Sequence, residues 1–137
     1  MAHEKFHAEV LTPDGKVFDD EVEMVSTKTS VGSIGVLAHH APVLAMLDPT
    51  ELRLYRSESE VESFAQSEGY LQVGGNRVLV LVEEAHPPDQ LDSSRLRERL
   101  EQAERELESA GDDTEKRRVA ERDKARWERF LEIAEGS

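Results

Sequence analysis

Two adjacent histidines, His39 and His40, are the residues of this sequence whose chemistry first needs an explanation. They stand between two apolar runs in GSIGVLAHHAPVLAML and are followed at once by Ala41 and Pro42. Imidazole binds metals and carries protons near neutral pH, so the pair could be a metal site, a catalytic base or a loop between strands. Neighbouring side chains on an extended segment point to opposite faces, and a metal site needs several converging ligands. The spacing therefore favours a loop and predicts no metal.

Other signs of catalysis are sparse. The chain has no cysteine, which excludes thiolate nucleophiles and cysteine-based zinc sites. It also has no glycine-rich phosphate loop, nucleophile elbow or HExxH element. The acidic pairs Asp19-Asp20 and Glu83-Glu84 are typical of solvated turns and strand ends. The sequence predicts a protein with no active site of its own, and a hydrolase that uses His40 as its base is the enzymatic alternative.

The charge balance limits the choice of partners. The 137 residues carry a formal net charge of −13, with 34% charged and 37% hydrophobic residues. A negative field repels nucleic acid and anionic lipid, so we expect neither as a direct partner. No apolar run approaches the roughly 20 residues that span a bilayer, and the first residues do not resemble a signal peptide. We expect a soluble chain without direct membrane insertion, monomeric when isolated.

The first part of the chain has the pattern of a β-sandwich or barrel. KFHAEVLT places Phe6, Ala8 and Val10 on one face, and ELRLYR does the same with Leu52 and Leu54. TPDGK and VGGNRV are turn signals, and strands recur about every 8 to 12 residues. RVLVLV is apolar on both faces, which predicts a strand covered on both sides.

After Pro87-Pro88 the pattern becomes helical. Asp92 is suited to be an N-cap, and AGDDT separates two helical stretches within about 91–135. A short loop between two helices predicts an antiparallel hairpin. Alanines make its apolar seam narrow, so the hairpin is a candidate moving part. The predicted seam residues are Leu96, Leu100, Ala103, Leu107 and Ala110 on the first helix, and Ala120, Trp127, Leu131 and Ala134, with Phe130 beside them, on the second.

This order of elements, with two motifs, resembles the epsilon subunit of the F-type ATP synthase. GSIGVLAHHAPVLAML is similar to the family's Gly-x-apolar-Gly and His-Ala-Pro signature, and QLDSSRL is similar to the element that starts its first helix. The resemblance implies an α+β fold: a flattened β-sandwich of about ten strands at 1–86, then an antiparallel two-helix hairpin at 87–137. A protein-binding β-sandwich with a helical appendage, unrelated to rotary catalysis, is the alternative.

The resemblance also implies partners and a mechanism. The β-sandwich is expected to dock on the gamma subunit and the c-ring, through a contact loop that includes Ser33, His40, Ala41 and Pro42. The hairpin is expected to extend toward the alpha and beta catalytic subunits and to inhibit ATP hydrolysis. The complex would hold the protein peripherally on the cytoplasmic side of the cell membrane. Family members commonly have Pro-Gly where this chain has Ala38 and His39, and the role of His39 is left open.

The family resemblance also implies a nucleotide-binding site. The family implies ATP contacts from the hairpin, and the matching residues are Asp92, Arg95, Arg99, Arg122 and Arg126. Against this, Asp92 and Arg95 also suit a helix cap and a solvated first-turn residue. Leu96 stands where ATP-binding members have a small residue, and its side chain would crowd the nucleotide. The sequence therefore predicts a protein that requires no cofactor, and Leu96 argues against the binding of regulatory ATP.

Overall fold

The described residues form ten strands followed by two helices, as the family resemblance implies. A computed structural model of the chain describes residues 3–136. The strands are β1 (Phe6–Thr12), β2 (Gly15–Val22), β3 (Met24–Thr29), β4 (Gly32–Val36), β5 (Val43–Leu47), β6 (Thr50–Tyr55), β7 (Val61–Gln66), β8 (Gly69–Gly74), β9 (Arg77–Val82) and β10 (Ala85–His86). A 3₁₀ turn (Pro88–Gln90) precedes α1 (Ser93–Ser109) and α2 (Thr114–Gly136).

The strands form a sandwich of two layers. Their order is β10-β7-β6-β3-β5-β8-β9-β1-β2, with β4 paired to β3 at the side. Strands β3 and β5 share one register pair, Thr29 with Leu47, and the sheet folds over at this weak junction. One layer is therefore β10-β7-β6-β3-β4 and the other is β5-β8-β9-β1-β2. Only β1 and β9 pair in parallel; the remaining pairs between described strands are antiparallel.

The core lies between the layers and follows the predicted alternation. Phe6, Ala8 and Val10 of β1 are buried, as are Leu52 and Leu54 of β6. Every second residue of a strand faces the opposite layer, so each strand contributes alternate side chains to one apolar interior. That alternation fixes the strand register, because a slip by one residue would expose the whole apolar set.

Strand β9 is covered on one face only, so the prediction of two-sided burial was wrong. Val78, Val80 and Val82 are buried, but Leu81 keeps 40% of its surface exposed and Leu79 is half-buried. No element of the β-sandwich lies over this outer face. The apolar character of the outer residues of β9 is therefore not explained by the core.

A buried polar network joins β3 to β7. Gln66 is fully buried, and its Oε1 accepts a hydrogen bond from Thr27 Oγ1 at 2.7 Å. Its Nε2 donates to the carbonyl oxygens of Asp48 at 3.1 Å and Ser67 at 2.9 Å. Buried polar groups are tolerated when their hydrogen bonds are made, and every hydrogen-bonding atom of the Gln66 amide has a partner here.

Replacing Thr27 by valine tests this network. The change keeps the side-chain shape but leaves the Gln66 carbonyl oxygen without its donor, so we expect a loss of about 1–2 kcal/mol in the free energy of unfolding. Urea denaturation followed by circular dichroism measures it. Thr114→Val, at an exposed threonine, is the control and should stay within about 0.5 kcal/mol of the wild type. Equal stability of the two variants would contradict the role given to the network.

Both helices begin with an aspartate cap. The Asp92 side chain accepts from the backbone N–H groups of Ser94 and Arg95. Asp113 Oδ1 accepts from the backbone N–H of Lys116 at 3.0 Å and so starts α2. Gly111 follows the last residues of α1 with a φ of 56°, a left-handed conformation that glycine adopts at low cost. Local sequence thus sets where each helix starts and where the first one ends.

The seam between the helices differs in part from the predicted stripe. On α1, Leu96, Ala103 and Ala110 are buried as predicted, while Leu100 and Leu107 are half-buried. On α2 the buried stripe is shifted by about one residue from the predicted one. Arg126 is buried at the place predicted for Trp127, and Trp127 itself is half-buried. The buried residues of α2 are Ala120, Arg126, Phe130 and Ile133, and the predicted Leu131 and Ala134 are half-buried.

Two compact units result, one on each side of the Pro87–Pro88 bond. The first is the β-sandwich with its own core, and the second is the helical hairpin. Neither α1 nor α2, as described, is long and apolar enough to cross a membrane.

Candidate functional site

An apolar ladder runs across the bare outer face of β5, β8, β9 and β1. Backbone register places Met46 beside Tyr70, Tyr70 beside Leu81 and Leu81 beside Leu11. Met46 is 60% exposed and Tyr70 is 53% exposed. These four side chains, with Leu44, define what we call the apolar ladder. Contiguous apolar side chains on a soluble surface mark an interaction site far more often than single ones do.

Two further features extend the ladder at its ends. The exposed side chain of Val31 lies in the turn after β3, which is held beside β5 by a 2.9 Å hydrogen bond from the Ser30 N–H to the Met46 carbonyl. At the other end is a shallow groove of about 390 Å³ whose lining includes Leu11, Pro13, Tyr70 and Leu81. Strands β8 and β9 pack so closely at this groove that a Cβ on Gly69 would overlap the Leu81 carbonyl oxygen.

A charged cluster borders the ladder on β1 and β2. Lys16 Nζ lies 2.7 Å from Asp19 Oδ2 and 3.6 Å from Glu9 Oε2. Arg77 Nη2 donates to Glu9 Oε1 at 3.0 Å, and the His7 ring contacts Asp19. The surface thus combines an apolar centre with a polar margin, which is the usual anatomy of a protein–protein interface.

The charges of this cluster are balanced internally. The hydrogen bond from Lys16, assisted by that from His7, lowers the pKa of the Asp19 carboxyl. A lowered pKa means that the carboxylate contributes to stability above its unfolded pKa and loses that contribution as pH falls through the lower folded value. The pairs are exposed, so salt screens them.

The same cluster is the one group of described residues whose geometry could suit a metal. Ligand atoms of His7, Glu9 and Asp19 lie within 4.8 Å of one another. Both carboxylates are already engaged by Lys16 and Arg77. A metal ion would have to displace these cations, so the arrangement serves better as an ion-pair network than as a metal site.

The predicted contact loop forms one end of the sandwich. Ser33 lies in β4, paired with Lys28, rather than in the loop itself. His40 is half-buried and its ring Nδ1 lies 2.7 Å from the Ala41 carbonyl oxygen, while Ala41 and Pro42 are exposed. The loop therefore presents Ala41 and Pro42 outward, with the His40 ring fastened to the backbone beside them.

His39, which the sequence left unexplained, holds this loop to its neighbours. Its φ is 64°, a left-handed conformation that is uncommon for residues other than glycine. Its backbone N–H donates to Asn76 Oδ1 at 2.8 Å, and its ring Nε2 lies 2.8 Å from Glu4 Oε2. These contacts oppose the cost of the strained backbone and tie the loop to the β8–β9 turn.

The predicted nucleotide-binding residues do not converge on one empty site. Asp92 caps α1 and Arg95 is exposed at its start. Arg122 donates to Asp123 Oδ1 at 3.1 Å. Arg99 and Arg126 both lie over the ring of Trp127, with Cζ at 4.9 Å and 5.3 Å from its centroid.

Leu96 is buried and contributes to the seam between the helices. Its side chain is therefore part of the packing of the hairpin. The sequence predicted Trp127 as part of the seam, and it predicted Arg99 and Arg126 as phosphate contacts or as basic residues that meet acidic segments of the catalytic subunits. Arg126 directly precedes Trp127 in the sequence, and this adjacency is the feature from which their contact could have been predicted.

Comparison with known proteins places the chain among ATP synthase subunits. The family model for the β-sandwich domain of the ATP synthase delta/epsilon chain matches residues 5–88. The ATP synthase epsilon chain of Halalkalibacterium halodurans is 40% identical over 104 residues, which are 76% of this chain and 77% of the relative. That of Persephonella marina is 39% identical over 127 residues, covering 92% and 93% of the two chains.

A solved structure has the same fold. A chain of the Euglena gracilis mitochondrial ATP synthase, in a structure of its OSCP, F1 and c-ring, superposes with a TM-score of 0.76 at 23% identity. The match covers 92% of this chain and 79% of that one. The similarity extends over β-sandwich and helices, beyond the residues that the family model matches.

Proposed function

The chain belongs to the family of ATP synthase epsilon chains, and we propose that its β-sandwich docks on the gamma subunit and on the c-ring in the central stalk of the complex. In this position it transmits rotation between the c-ring and the catalytic head. A binding module unrelated to rotary catalysis is not favoured, because a relative aligned over more than nine-tenths of the chain is an ATP synthase epsilon chain.

The observation that carries this proposal is the apolar ladder. Met46 and Tyr70 are large, more than half exposed, and adjacent across two strands. Aromatic and methionine side chains are enriched at the centres of protein interfaces, where they supply most of the binding energy. We assign the ladder to the gamma subunit, with the charged cluster of His7, Glu9 and Lys16 at the margin of the interface.

The contact loop is assigned to the c-ring. Ala41 and Pro42 are exposed, and the loop is held in shape by His39 and His40. A loop fixed by such contacts loses little conformational entropy on binding, which favours a contact that must carry torque. Ser33 lies near the start of β4, beside the turn that follows β3 and at the other end of that strand from Ala41 and Pro42, so it is not assigned to this contact.

The hairpin is assigned a regulatory role. Residues 89–137 carry 15 acidic and 11 basic side chains, so most of the chain's positive charge lies here. In the extended state its basic faces would meet acidic segments of the alpha and beta subunits and block hydrolysis. Charge pairing of this kind is reversible and sensitive to salt, which suits a switch.

The protein acts without chemistry of its own. It needs no cofactor, has no active site, and sits peripherally on the cytoplasmic side of the cell membrane through its partners. As an isolated chain it is monomeric.

The experiment that tests this function is reconstitution. The purified chain is added to an ATP synthase of its own organism from which the epsilon subunit has been removed. We expect the chain to bind and to restore proton pumping driven by ATP hydrolysis.

A further inference from the structure

Two arginines lie over the half-buried ring of Trp127 on α2. The Cζ atoms of Arg99 on α1 and Arg126 on α2 lie 4.9 Å and 5.3 Å from the centroid of its ring. The Phe130 ring meets it edge-on, with centroids 5.9 Å apart and an interplanar angle of 77°. Cations within about 6 Å of an indole face are attracted by its quadrupole, and indole is the best of the aromatic partners.

The larger buried side chains of the hairpin, Leu96, Phe130 and Ile133, lie toward the end where α1 begins and α2 finishes, and the stack lies between them and a stretch of seam built on small residues. Ala103, Ala110 and Ala120 are buried in the seam, but alanine buries little apolar area. The Arg97–Glu135 ion pair also crosses from α1 to α2, but both of its side chains are about half exposed. Exposed ion pairs contribute little to stability. The contact of Arg99 with Trp127 thus joins the two helices by a large aromatic surface and a cation.

The same stack removes two arginines from anion binding. Arg126 is buried, and its guanidinium lies over the indole ring. The cavity beside the stack, of about 310 Å³, is lined by Glu98, Glu106 and Asp123 as well as by Arg99. A phosphate group in this cavity would face three carboxylates, and like charges repel at short range.

We propose that Arg99 and Arg126 clamp Trp127 and thereby hold the hairpin closed without a bound nucleotide. The clamp rests on the proposed function for its biological consequence, since opening of the hairpin is the step that inhibits hydrolysis. Opening would then be set by partner subunits that compete for the arginines or the indole ring. ATP concentration would not set it.

The test uses the full chain, which has no native cysteine to interfere with labelling. Spin labels on cysteines introduced at the exposed positions Ser94 and Glu132 report the separation of α1 and α2. Arg99→Gln removes one cation from an exposed site, so we expect the population of long distances to rise about two- to fivefold. Trp127→Leu should raise it further, because both stacks are lost.

Matched variants distinguish the loss of the clamp from a general loss of helical structure. Arg105→Gln is the control, since Arg105 is exposed on the same helix and bonds locally to Gln102. It should leave the distances unchanged, and Arg99→Lys should restore the closed population because a cation remains over the ring. A distance distribution for Arg99→Gln equal to that of Arg105→Gln would overturn the proposal, as would equal effects of Arg99→Gln and Arg99→Lys.

An ATP titration completes the experiment. We expect neither the distances nor the Trp127 emission to respond to millimolar ATP with magnesium. A saturable response that Arg126→Gln abolishes would overturn the clamp and show a nucleotide site in its place. ATP hydrolysis by the reconstituted complex is measured separately. If Arg99→Gln opens the isolated hairpin but does not strengthen inhibition, the clamp stands and the inhibitory role fails.

Discussion

Removal of residues 89–137 is expected to raise ATP hydrolysis by the assembled complex and to leave proton pumping coupled to it. The β-sandwich forms a compact unit with its own core, so the shortened chain keeps its fold and its docking surfaces. The hairpin, which we propose to be the inhibitory element, is then absent. If only complexes with a folded hairpin hydrolyse ATP, the rate rises by a factor equal to one divided by the fraction of such complexes. When between one half and nine-tenths of the hairpins are extended, this factor is roughly two to ten.

The control for this deletion is a chain that ends at Ile133, which keeps the clamp and all the buried residues of α2. It should hydrolyse ATP at a rate close to the wild type. The measurement is steady-state ATP hydrolysis, with proton pumping followed in vesicles in parallel. Unchanged hydrolysis after the deletion would mean that the hairpin is not an inhibitor in this protein.

We expect Met46→Glu to weaken assembly with the gamma subunit, the proposed partner of the apolar ladder, by about a hundredfold or more. The side chain is 60% exposed in the isolated chain, so the charge costs little there, but in the complex it would be buried among Tyr70 and Leu81. Truncation at interface hot spots costs about 2–4 kcal/mol, and an unpaired buried carboxylate costs at least as much. The measurement is the dissociation constant of the labelled chain for the complex that lacks its epsilon subunit.

Val61→Glu is the matched control for this surface. Val61 is also apolar and exposed, at 41%, but it lies on β7 in the other layer of the sandwich. It should bind within about threefold of the wild type, in line with the small effects of substitutions outside an interface. If the two variants weakened binding equally, the loss would not be specific to the ladder, and the assignment of that surface would fall.

The strands and helices could be predicted from local patterns because their causes are local. Alternation of Phe6, Ala8 and Val10 is enough to define a half-buried strand, and Asp92 followed by an apolar stripe is enough to start a helix. The two motifs that carried the family resemblance also lie in single continuous stretches. Each of these features is decided by residues close together in the chain.

Features that depend on distant residues could not be read from the sequence. Whether Leu81 is covered depends on which elements pack over β9, and periodicity carries no information about that. The left-handed conformation of His39 depends on Asn76 and Glu4, which lie 37 and 35 residues away. The arginines on Trp127 illustrate the same limit, since the positions of Arg99 and Arg126 fit a phosphate cluster as well as an aromatic clamp.

The most direct measurement of the central claim is the number of protons pumped per ATP hydrolysed, in vesicles that contain the complex without its epsilon subunit. Addition of the wild-type chain is expected to raise this ratio and to lower hydrolysis at the same time. The chain without residues 89–137 is expected to raise the ratio without lowering hydrolysis. A chain that binds but changes neither quantity, or that fails to bind the complex, would contradict the account.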